Sequence, residues 1–424
     1  MLNNIRPLLA TATFRQSAIT FSGTVISGLL GALFYILSAR FLGPSDFGFL
    51  VVAIMVLTLI TDISDLGVDT GLVRFVGKYW KSDSNKALKF IKLSIKVKLV
   101  SSILMVLLGL LISPFLATNI FRKDQLLQPL FISFIGVFGM QFYMFSNSLM
   151  QALQKFWVWS SFQVGTNLVR LLMIMALFLW NKLDLLAVLI VYISIPFVGF
   201  FISLLFFPKN FLKVQNDSEI GRDFYHYSKW IALSTFLAAF SARLDTFISA
   251  RLISSVELGF YAVANQLVAV IPQIIGALGV VLAPKMAGMA SNKDLIVYLK
   301  KTEMMVAGLA GAAILLIPVV IWLIPILFGS EYSQGVPILF TILLLAMLVF
   351  LLSAPIHNAI FYYFGYSKLF IYLSIVHLLI ISICGWVLIS LYGAIGAAIT
   401  VLLAMIVNFT ISLLWLLRRI NSNE

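Results

Sequence analysis

Three carboxylates lie close together in an otherwise apolar stretch of the chain. Asp62, Asp65 and Asp69 follow one another at spacings of three and four residues, which in an α-helix places all three side chains on one face. Carboxylates inside a membrane are costly unless they face water or a cation, so the pattern predicts a cavity or a coupling-ion site. The alternative is a stretch at the membrane surface, where the aspartates are solvated.

Two arginines lie deep within apolar runs. Arg170 has Asn167 one turn before it, and Arg243 is followed by Asp245. A guanidinium in the middle of a membrane costs at least about 2.5–3.5 kcal/mol, and its planar fork of donors suits phosphate or carboxylate. One arginine from each half of the chain, facing a shared cavity, would form an anion site. The alternative is a structural salt bridge that holds helices together.

Other polar side chains within the apolar runs are weaker candidates for substrate contacts, because interhelical hydrogen bonds explain them equally well. They are Asn167, Asn147, Asn358, Gln273 and His357. The single cysteine and the absence of Cys, His or acidic residues at metal-ligand spacings argue against a metal site. A phosphate-binding glycine loop is also missing, so we expect neither a bound cofactor nor a built-in ATPase.

These residues must be positioned by helices that cross a membrane. The chain is 62% hydrophobic and only 11% charged, whereas about a quarter of the residues in soluble domains are charged. Apolar runs of about 20 residues recur along it, each long enough to cross the hydrocarbon core. They predict an all-α polytopic membrane protein with about twelve spans. The spans are expected near 17–39, 45–77, 90–116, 127–150, 157–180, 184–207, 227–252, 257–288, 302–328, 335–362, 367–390 and 392–417.

The second span of each half is unusually long. Each extends over about 35 residues, or about 50 Å of helix, which exceeds the membrane core. Gly67 and Gly71 lie inside the first of these, and Pro272 and Gly276 inside the second. We expect kinks or breaks at these positions. The alternative is an ordinary span followed by an amphipathic helix on the cytoplasmic surface.

The net charge of +13 could indicate nucleic acid, but its distribution argues otherwise. If the N-terminus is cytoplasmic, the predicted spans place most lysines and arginines on that same side, with the largest groups in 74–98, 209–229 and 285–301. This asymmetry follows the positive-inside rule and predicts that both termini are cytoplasmic. The basic groups are then topology signals that also contact anionic lipid head groups, and nucleic acid is not an expected partner.

An internal repeat relates the two halves. Residues 38–53 return near the middle of the chain as 249–264, with Asp46 and Glu257 in equivalent positions. Charged residues are scarce here, so paired charges at one offset carry more weight than paired leucines. The repeat predicts two bundles of six helices each, as in two-lobed membrane transporters. The predicted lobes are residues 1–212 and 213–424.

Several short motifs occur in a characteristic order along the whole chain. They are FYILSARFLGPSDFGF (34–49), DLGVDTGLVRF (65–75), DTFISAR (245–251), LGFYAVAN (258–265), LAPK (282–285), LFGSEY (327–332) and YGAIGAA (392–398). Together they resemble the Wzx-type polysaccharide flippases of the multidrug/oligosaccharidyl-lipid/polysaccharide (MOP) exporter superfamily.

This resemblance implies a V-shaped pair of six-helix bundles with alternating access and a positively charged cavity. The implied function is translocation of undecaprenyl-pyrophosphate-linked oligosaccharide units to the outer leaflet of the bacterial inner membrane, for O-antigen, capsule or exopolysaccharide synthesis. Polysaccharide polymerase machinery is an implied partner, and a proton or sodium gradient the implied energy source. The residues implied to bind pyrophosphate are Arg170, Arg243 and Arg74, and those implied to couple ions are Asp65, Asp69, Asp62 and Asp245.

Rival functions remain open at this point. A lipid II flippase and a drug or cation antiporter belong to the same superfamily, although an antiporter is expected to have a more acidic cavity. A polysaccharide polymerase or ligase is the enzymatic alternative, and it would need a large outer loop to hold its acceptor. The predicted outer connections are tight turns such as Gly43-Pro44-Ser45, so we expect the protein not to be an enzyme.

Overall fold

The computed structural model describes residues 12–215 and 217–421. This part of the chain is helical almost throughout and contains no β-strand, which confirms the all-α fold class. The helices of the first half are α1 (Ala12–Ser64), α2 (Val68–Tyr79), α3 (Ser84–Phe115), α4 (Leu127–Ala152), α5 (Phe156–Leu179) and α6 (Leu185–Ser203). Those of the second half are α7 (Ser218–Ser241), α8 (Leu244–Leu252), α9 (Ser255–Val268), α10 (Val270–Ala287), α11 (Asn292–Leu315), α12 (Ile317–Phe328), α13 (Val336–Asn358), α14 (Lys368–Leu379) and α15 (Gly385–Asn421).

The protein is a multi-pass membrane protein. Eight helical stretches among the described residues are long and apolar enough to cross a membrane, or ten if each of two bent helix pairs is one span. The first and the last stretch are 50 and 54 residues long. Each contains a glycine with non-helical angles, Gly43 (φ 74°, ψ 170°) and Gly393 (φ 59°, ψ −138°). Each of the two stretches therefore has room for two of the roughly twelve crossings that we predict.

The long second span of the first half is broken where we expect it. Leu66 and Gly67 have positive φ angles of 55° and 73°, and they separate α1 from α2. A Cβ atom at Gly67 would lie 2.6 Å from the carbonyl oxygen of Ser228 in α7, so close packing requires glycine here. In the second half, Ala269 separates α9 from α10. This break precedes Pro272, which lies inside α10.

The break corrects one prediction from the sequence. We expected Asp62, Asp65 and Asp69 on one face of a continuous helix, but only Asp62 belongs to α1. Asp65 lies in the turn between the helices, and Asp69 lies in the first turn of α2. The three carboxylates therefore do not share a helix face.

The chain divides into two compact units. The first comprises residues 1–42 and 49–240, and the second comprises 43–48 and 241–424. Most of α7, which follows the predicted boundary at 212/213, groups with the first unit. The two predicted lobes with that boundary stay a prediction.

Aromatic packing holds α2 against α3 and α4 in the first unit. The rings of Phe75 and Phe90 stack with centroids 4.6 Å apart, and the Tyr79 ring also stacks with that of Phe90, with centroids 5.9 Å apart. Phe145 and Leu149 of α4 are fully buried in the same cluster. Since α2 is held in this way, the turn that precedes it has a defined position beside α3 and α4.

In the second unit, positions that the repeat makes equivalent meet at a close crossing. A Cβ atom at Gly48 would lie 2.1 Å from the carbonyl oxygen of Ser255, and one at Gly259 would lie 2.0 Å from that of Pro44. The hydroxyls of Ser45 and Ser255 share a hydrogen bond of 2.8 Å beside them. Small residues allow helix backbones to approach this closely inside a membrane.

Candidate functional site

A buried lysine lies at the centre of the first candidate site. The side chain of Lys98 in α3 is completely buried, and its Nζ lies 2.6 Å from Oδ1 of Asp65 and 2.9 Å from Oδ2 of Asp69. The same ammonium donates a hydrogen bond of 2.6 Å to Oε1 of Gln141 in α4. We call Lys98, Asp65, Asp69 and Gln141 the Lys98 cluster. It unites two acidic residues predicted for ion coupling with two polar residues that were not predicted.

Because the helix breaks between Asp65 and Asp69, both carboxylates contact the ammonium of Lys98. The backbone N–H of Asp69 donates to Oδ1 of Asp65 at 3.2 Å, so the two aspartates are held on either side of the turn. Gln141 is fixed in turn, because its Nε2 donates to the carbonyl oxygen of Thr61 at 2.7 Å and to the hydroxyl of Ser64. These two bonds leave Oε1 of Gln141 facing Lys98.

The charges of the cluster do not balance. With every group ionised, two carboxylates surround one ammonium, which leaves one negative charge. Oδ1 of Asp69 is buried and has no hydrogen-bond partner among the described residues. A buried carboxylate oxygen without a partner is costly. By charge balance, the cluster can therefore take up one further positive charge.

Lys98 is not among the predicted site residues, because it belongs to the basic residues of 74–98, which we interpret as topology signals. A signal that could have identified it was present. Lys98 falls inside the predicted span 90–116, where a charged side chain is as costly as the arginines that were singled out.

The second candidate site surrounds Arg170 in α5, which is 8% exposed. Its Nη2 donates to the carbonyl oxygen of Tyr192 at 3.0 Å, and its Nη1 lies 3.4 Å from Oδ1 of Asn167. The guanidinium carbon lies 4.0 Å from the centre of the Tyr192 ring. Asn167 itself donates to the hydroxyl of Ser27 at 2.8 Å, which orients its amide. The predicted pair Arg170 and Asn167 thus forms one site.

Arg170 is a buried cation without an acidic partner. No carboxylate within residues 12–215 and 217–421 forms an ion pair with it, so the structural salt bridge that we considered is not found there. Its Nε is buried and makes no hydrogen bond to any described residue. The Tyr192 ring offers only a cation–π contact. This geometry leaves a positive charge and a donor for an anion.

Arg243 and Asp245 lie in the second unit. Arg243 is the residue before α8, and Asp245 lies in the first turn of that helix. Oδ2 of Asp245 accepts a hydrogen bond of 2.6 Å from the hydroxyl of Tyr261 in α9. Asp245 is therefore anchored by a neighbouring helix within its own unit. That Arg243 and Arg170 share one cavity stays a prediction.

Arg74 and Gln273 are exposed and belong to neither of the two sites. Arg74 projects from α2, and its guanidinium carbon lies 4.3 Å from the centre of the Tyr227 ring. Gln273 lies near the start of α10. Their proposed contacts with substrate stay predictions.

The other predicted polar residues have local surroundings. Nδ2 of Asn358 bonds to its own helix at 2.8 Å, and Nε2 of His357 lies 3.0 Å from the hydroxyl of Ser412. Oδ1 of Asn147 is buried without a partner among the described residues. No group of three or more His, Cys, Asp or Glu side chains suited to a metal was found in this part of the chain.

Comparisons with known proteins bear on these sites. Residues 14–290 match the family described as polysaccharide biosynthesis protein. No curated protein sequence matches the chain. Among solved structures, the lipid II flippase MurJ in an inward closed conformation is similar over 95% of this chain and 87% of its own, with 18% identity and a TM-score of 0.73.

Two transporters of the MOP superfamily are also similar. A multidrug resistance transporter of the MATE family, in an inward-facing conformation, is 12% identical over 96% of this chain and 98% of its own, with a TM-score of 0.68. A transporter from Pyrococcus furiosus is 12% identical over 95% of this chain and 93% of its own, with a TM-score of 0.56. Likeness at such low identity establishes the fold.

The resemblance inferred from the sequence motifs is confirmed by these comparisons. The similar solved structures are those of a flippase and of transporters, in agreement with the prediction of a protein that is not an enzyme. Since the family match covers more than half of the residues, the chain belongs to the polysaccharide biosynthesis protein family and has the helical fold of the MOP-superfamily transporters.

Proposed function

We propose that this flippase-family protein carries a polyprenyl-pyrophosphate-linked oligosaccharide from the cytoplasmic to the outer leaflet of the bacterial inner membrane. The observation that carries this proposal is the buried Arg170, which has no acidic partner in the described chain and an unused Nε donor. A substrate with a pyrophosphate group supplies the missing negative charge. Its sugars serve the synthesis of O-antigen, capsule or exopolysaccharide, with a polysaccharide polymerase acting on the translocated unit.

The surroundings of Arg170 suit the transient binding of an anion. Charge-assisted hydrogen bonds to phosphate are roughly twice as strong as neutral ones. The Tyr192 ring and carbonyl oxygen hold the guanidinium in place, so less side-chain entropy is lost when the anion binds. Release remains feasible because this site supplies only one cationic side chain. Arg243 and Arg74 are further contacts for the pyrophosphate along the proposed path.

We further propose that the Lys98 cluster couples this movement to an ion gradient. A proton on Asp65 or Asp69 neutralises one of the two carboxylates and weakens one of the two ion pairs that hold Lys98. Both aspartates flank the break at Leu66 and Gly67, so such a change acts directly on the junction between α1 and α2. Broken helices with charged groups at the break are a recurrent arrangement in secondary transporters.

The deciding experiment measures which leaflet holds the lipid-linked oligosaccharide in cells with and without the protein. We expect the complete oligosaccharide to accumulate on the cytoplasmic side when the protein is lost. If the lipid-linked oligosaccharide still reaches the outer leaflet normally but remains unpolymerised there, the protein is instead a polymerase or ligase. Rescue of cell-wall synthesis in cells lacking their lipid II flippase would indicate lipid II as substrate, and efflux of cationic dyes would indicate an antiporter.

A set of variants then tests the site. Arg170→Ala is expected to lower transport about 10- to 150-fold, the equivalent of one charge-assisted hydrogen bond of about 1.5–3 kcal/mol. Arg170→Lys keeps the charge but loses the fork of donors, and we expect it to fall in between. Arg222→Ala serves as the matched control, because Arg222 is an exposed arginine in α7. Full transport by Arg170→Ala at equal protein level would remove Arg170 from the mechanism.

A further inference from the structure

The ammonium of Lys98 lies in a closed shell of oxygen atoms. Its three N–H donors match three acceptors, Oδ1 of Asp65 at 2.6 Å, Oδ2 of Asp69 at 2.9 Å and Oε1 of Gln141 at 2.6 Å. The side chain is completely buried, so water does not compete for these bonds. Two of the acceptors are carboxylates, and the third is an amide oxygen. Such a set of oxygen ligands also suits a hard metal cation.

We infer that Lys98 is a tethered substitute for a free monovalent cation, so that the protein does not require Na⁺ and its coupling ion is the proton. The second clause rests on the proposed function, whereas the first concerns only cation binding. Lys98 is thereby assigned a role in ion selectivity that goes beyond holding helices together.

The position of the oxygen shell supports this assignment. Its members come from the turn between α1 and α2, from the first turn of α2, and from α4. Gln141 is held by its bonds to Thr61 and Ser64, so its oxygen is directed at Lys98 before any ligand arrives. We expect these oxygen atoms to keep approximately the same positions when the lysine side chain is shortened. What remains is the space that the four outer atoms of the lysine side chain filled, and its polar end carries two negative charges.

Free Na⁺ and a proton differ in how they could enter the intact cluster. A sodium ion needs several oxygen ligands, and those within reach are already bound to the ammonium, whose positive charge repels it at about 3 Å. A proton needs only one oxygen, and the buried Oδ1 of Asp69 has no other partner within the described chain. Adding one proton brings the formal charge of the cluster from minus one to zero. The intact cluster is therefore selective for the proton.

Thermal unfolding of the purified, full-length protein in NaCl and in choline chloride of equal ionic strength tests this inference. The wild type is expected to unfold at the same temperature in both salts. Lys98→Ala is expected to be less stable in choline chloride and to be restored by Na⁺ in a saturable manner, because a ligand that binds only the folded state stabilises it. We expect a rise of several degrees at saturation.

Two further variants keep the test decisive. Lys98→Gln retains a neutral donor, so it provides the same comparison if Lys98→Ala does not fold. Lys98→Ala combined with Asp65→Asn and Asp69→Asn removes both negative charges, and its response to Na⁺ is expected to disappear. The Lys98→Ala response should also be much smaller with tetramethylammonium chloride than with NaCl, because the methyl groups keep the oxygen ligands away from the charge.

The outcomes separate this inference from the proposed function. A stabilisation of the wild type by Na⁺ over choline, or folded Lys98→Ala and Lys98→Gln without any response to Na⁺, would overturn the inference. A response to Na⁺ in the lysine variants alone supports it even if no oligosaccharide is flipped. If no oligosaccharide is flipped, the proposed function and the assignment of the proton as coupling ion are refuted, but the cation-binding role of Lys98 is not.

Discussion

Replacement of Gln141 by leucine is the most direct test of how the Lys98 cluster is built. The two side chains have similar volumes, so the change removes polar atoms and leaves the packing between α4 and its neighbours nearly intact. Gln141 is completely buried. Its amide accepts one hydrogen bond from Lys98 and donates two, to Thr61 and Ser64. All three bonds are lost in Gln141→Leu.

The expected loss of stability follows from these bonds. A hydrogen bond to a charged group contributes about 1.5–3 kcal/mol, and a neutral one contributes about 0.5–1.5 kcal/mol. Ser64 keeps a hydrogen bond to the carbonyl oxygen of Ile60, which limits the cost at that end. The buried ammonium of Lys98 has no substitute for the lost acceptor. We therefore expect a loss of about 2–4 kcal/mol in the free energy of unfolding.

The assay is thermal unfolding of the purified protein in detergent, with Gln151→Leu as the matched control. Gln151 lies in the same helix α4 but is exposed, so we expect little change for that variant. Gln141→Leu should unfold at a clearly lower temperature and should also lower transport, since Asp65 and Asp69 lose a fixed partner. Equal unfolding temperatures for Gln141→Leu and the wild type would refute the hydrogen-bonded cluster on which the proposed coupling depends.

Three shorter predictions concern other parts of the chain. Gly259→Ala should lower the free energy of unfolding by about 1–3 kcal/mol through overpacking, because its Cβ would lie 2.0 Å from a carbonyl oxygen. In Gly308→Ala the new Cβ meets nothing within 4 Å, so that variant should be neutral or stabilising. Comparison of the two unfolding temperatures checks this. A hydrogen bond from Lys89 lowers the pKa of Asp217, so its stabilising effect is present above the unfolded pKa and is lost as pH falls through the lower folded value. The difference in unfolding temperature between the wild type and Asp217→Asn should accordingly shrink between pH 7 and about pH 3, and a difference that grows on acidification would contradict it. In substrate-free protein, an added pyrophosphate salt should stabilise the wild type more than Arg170→Gln, and an equal effect on both would count against anion binding at this position.

Features that depend on single apolar runs could be predicted from the sequence. A run of about 20 apolar residues crosses a membrane whatever its neighbours are, so the helical class and the approximate spans follow from hydropathy. The depth of Arg170 was predicted in the same way, and the structure places this residue in the buried interior. Helix breaks at glycine could also be predicted, because few other residues adopt the positive φ that Gly67 has.

Features that depend on contacts between distant residues could not be predicted. We expected one helix face to carry Asp62, Asp65 and Asp69, because we assumed a continuous helix. The backbone of α7 lies against Gly67, however, and the helix is broken there. The bonding partners of Arg170 include Tyr192, which lies on another helix. Lys98 falls inside a predicted span, so its need for a partner could be predicted, but the identity of its partners Asp65 and Asp69 could not.

The sequence alone therefore determined that this is a helical, multi-pass protein with an internal repeat and with charges that need partners. Hydrophobic length and the cost of buried charge are properties of each segment, and they hold before the helices pack. Only the tertiary structure decided which partner each charge received. Asp65 and Asp69 received Lys98, whereas Arg170 received an aromatic ring and carbonyl oxygens. The reason is that ion pairs and hydrogen bonds act over about 3 Å, and sequence position does not specify separations between helices at that scale.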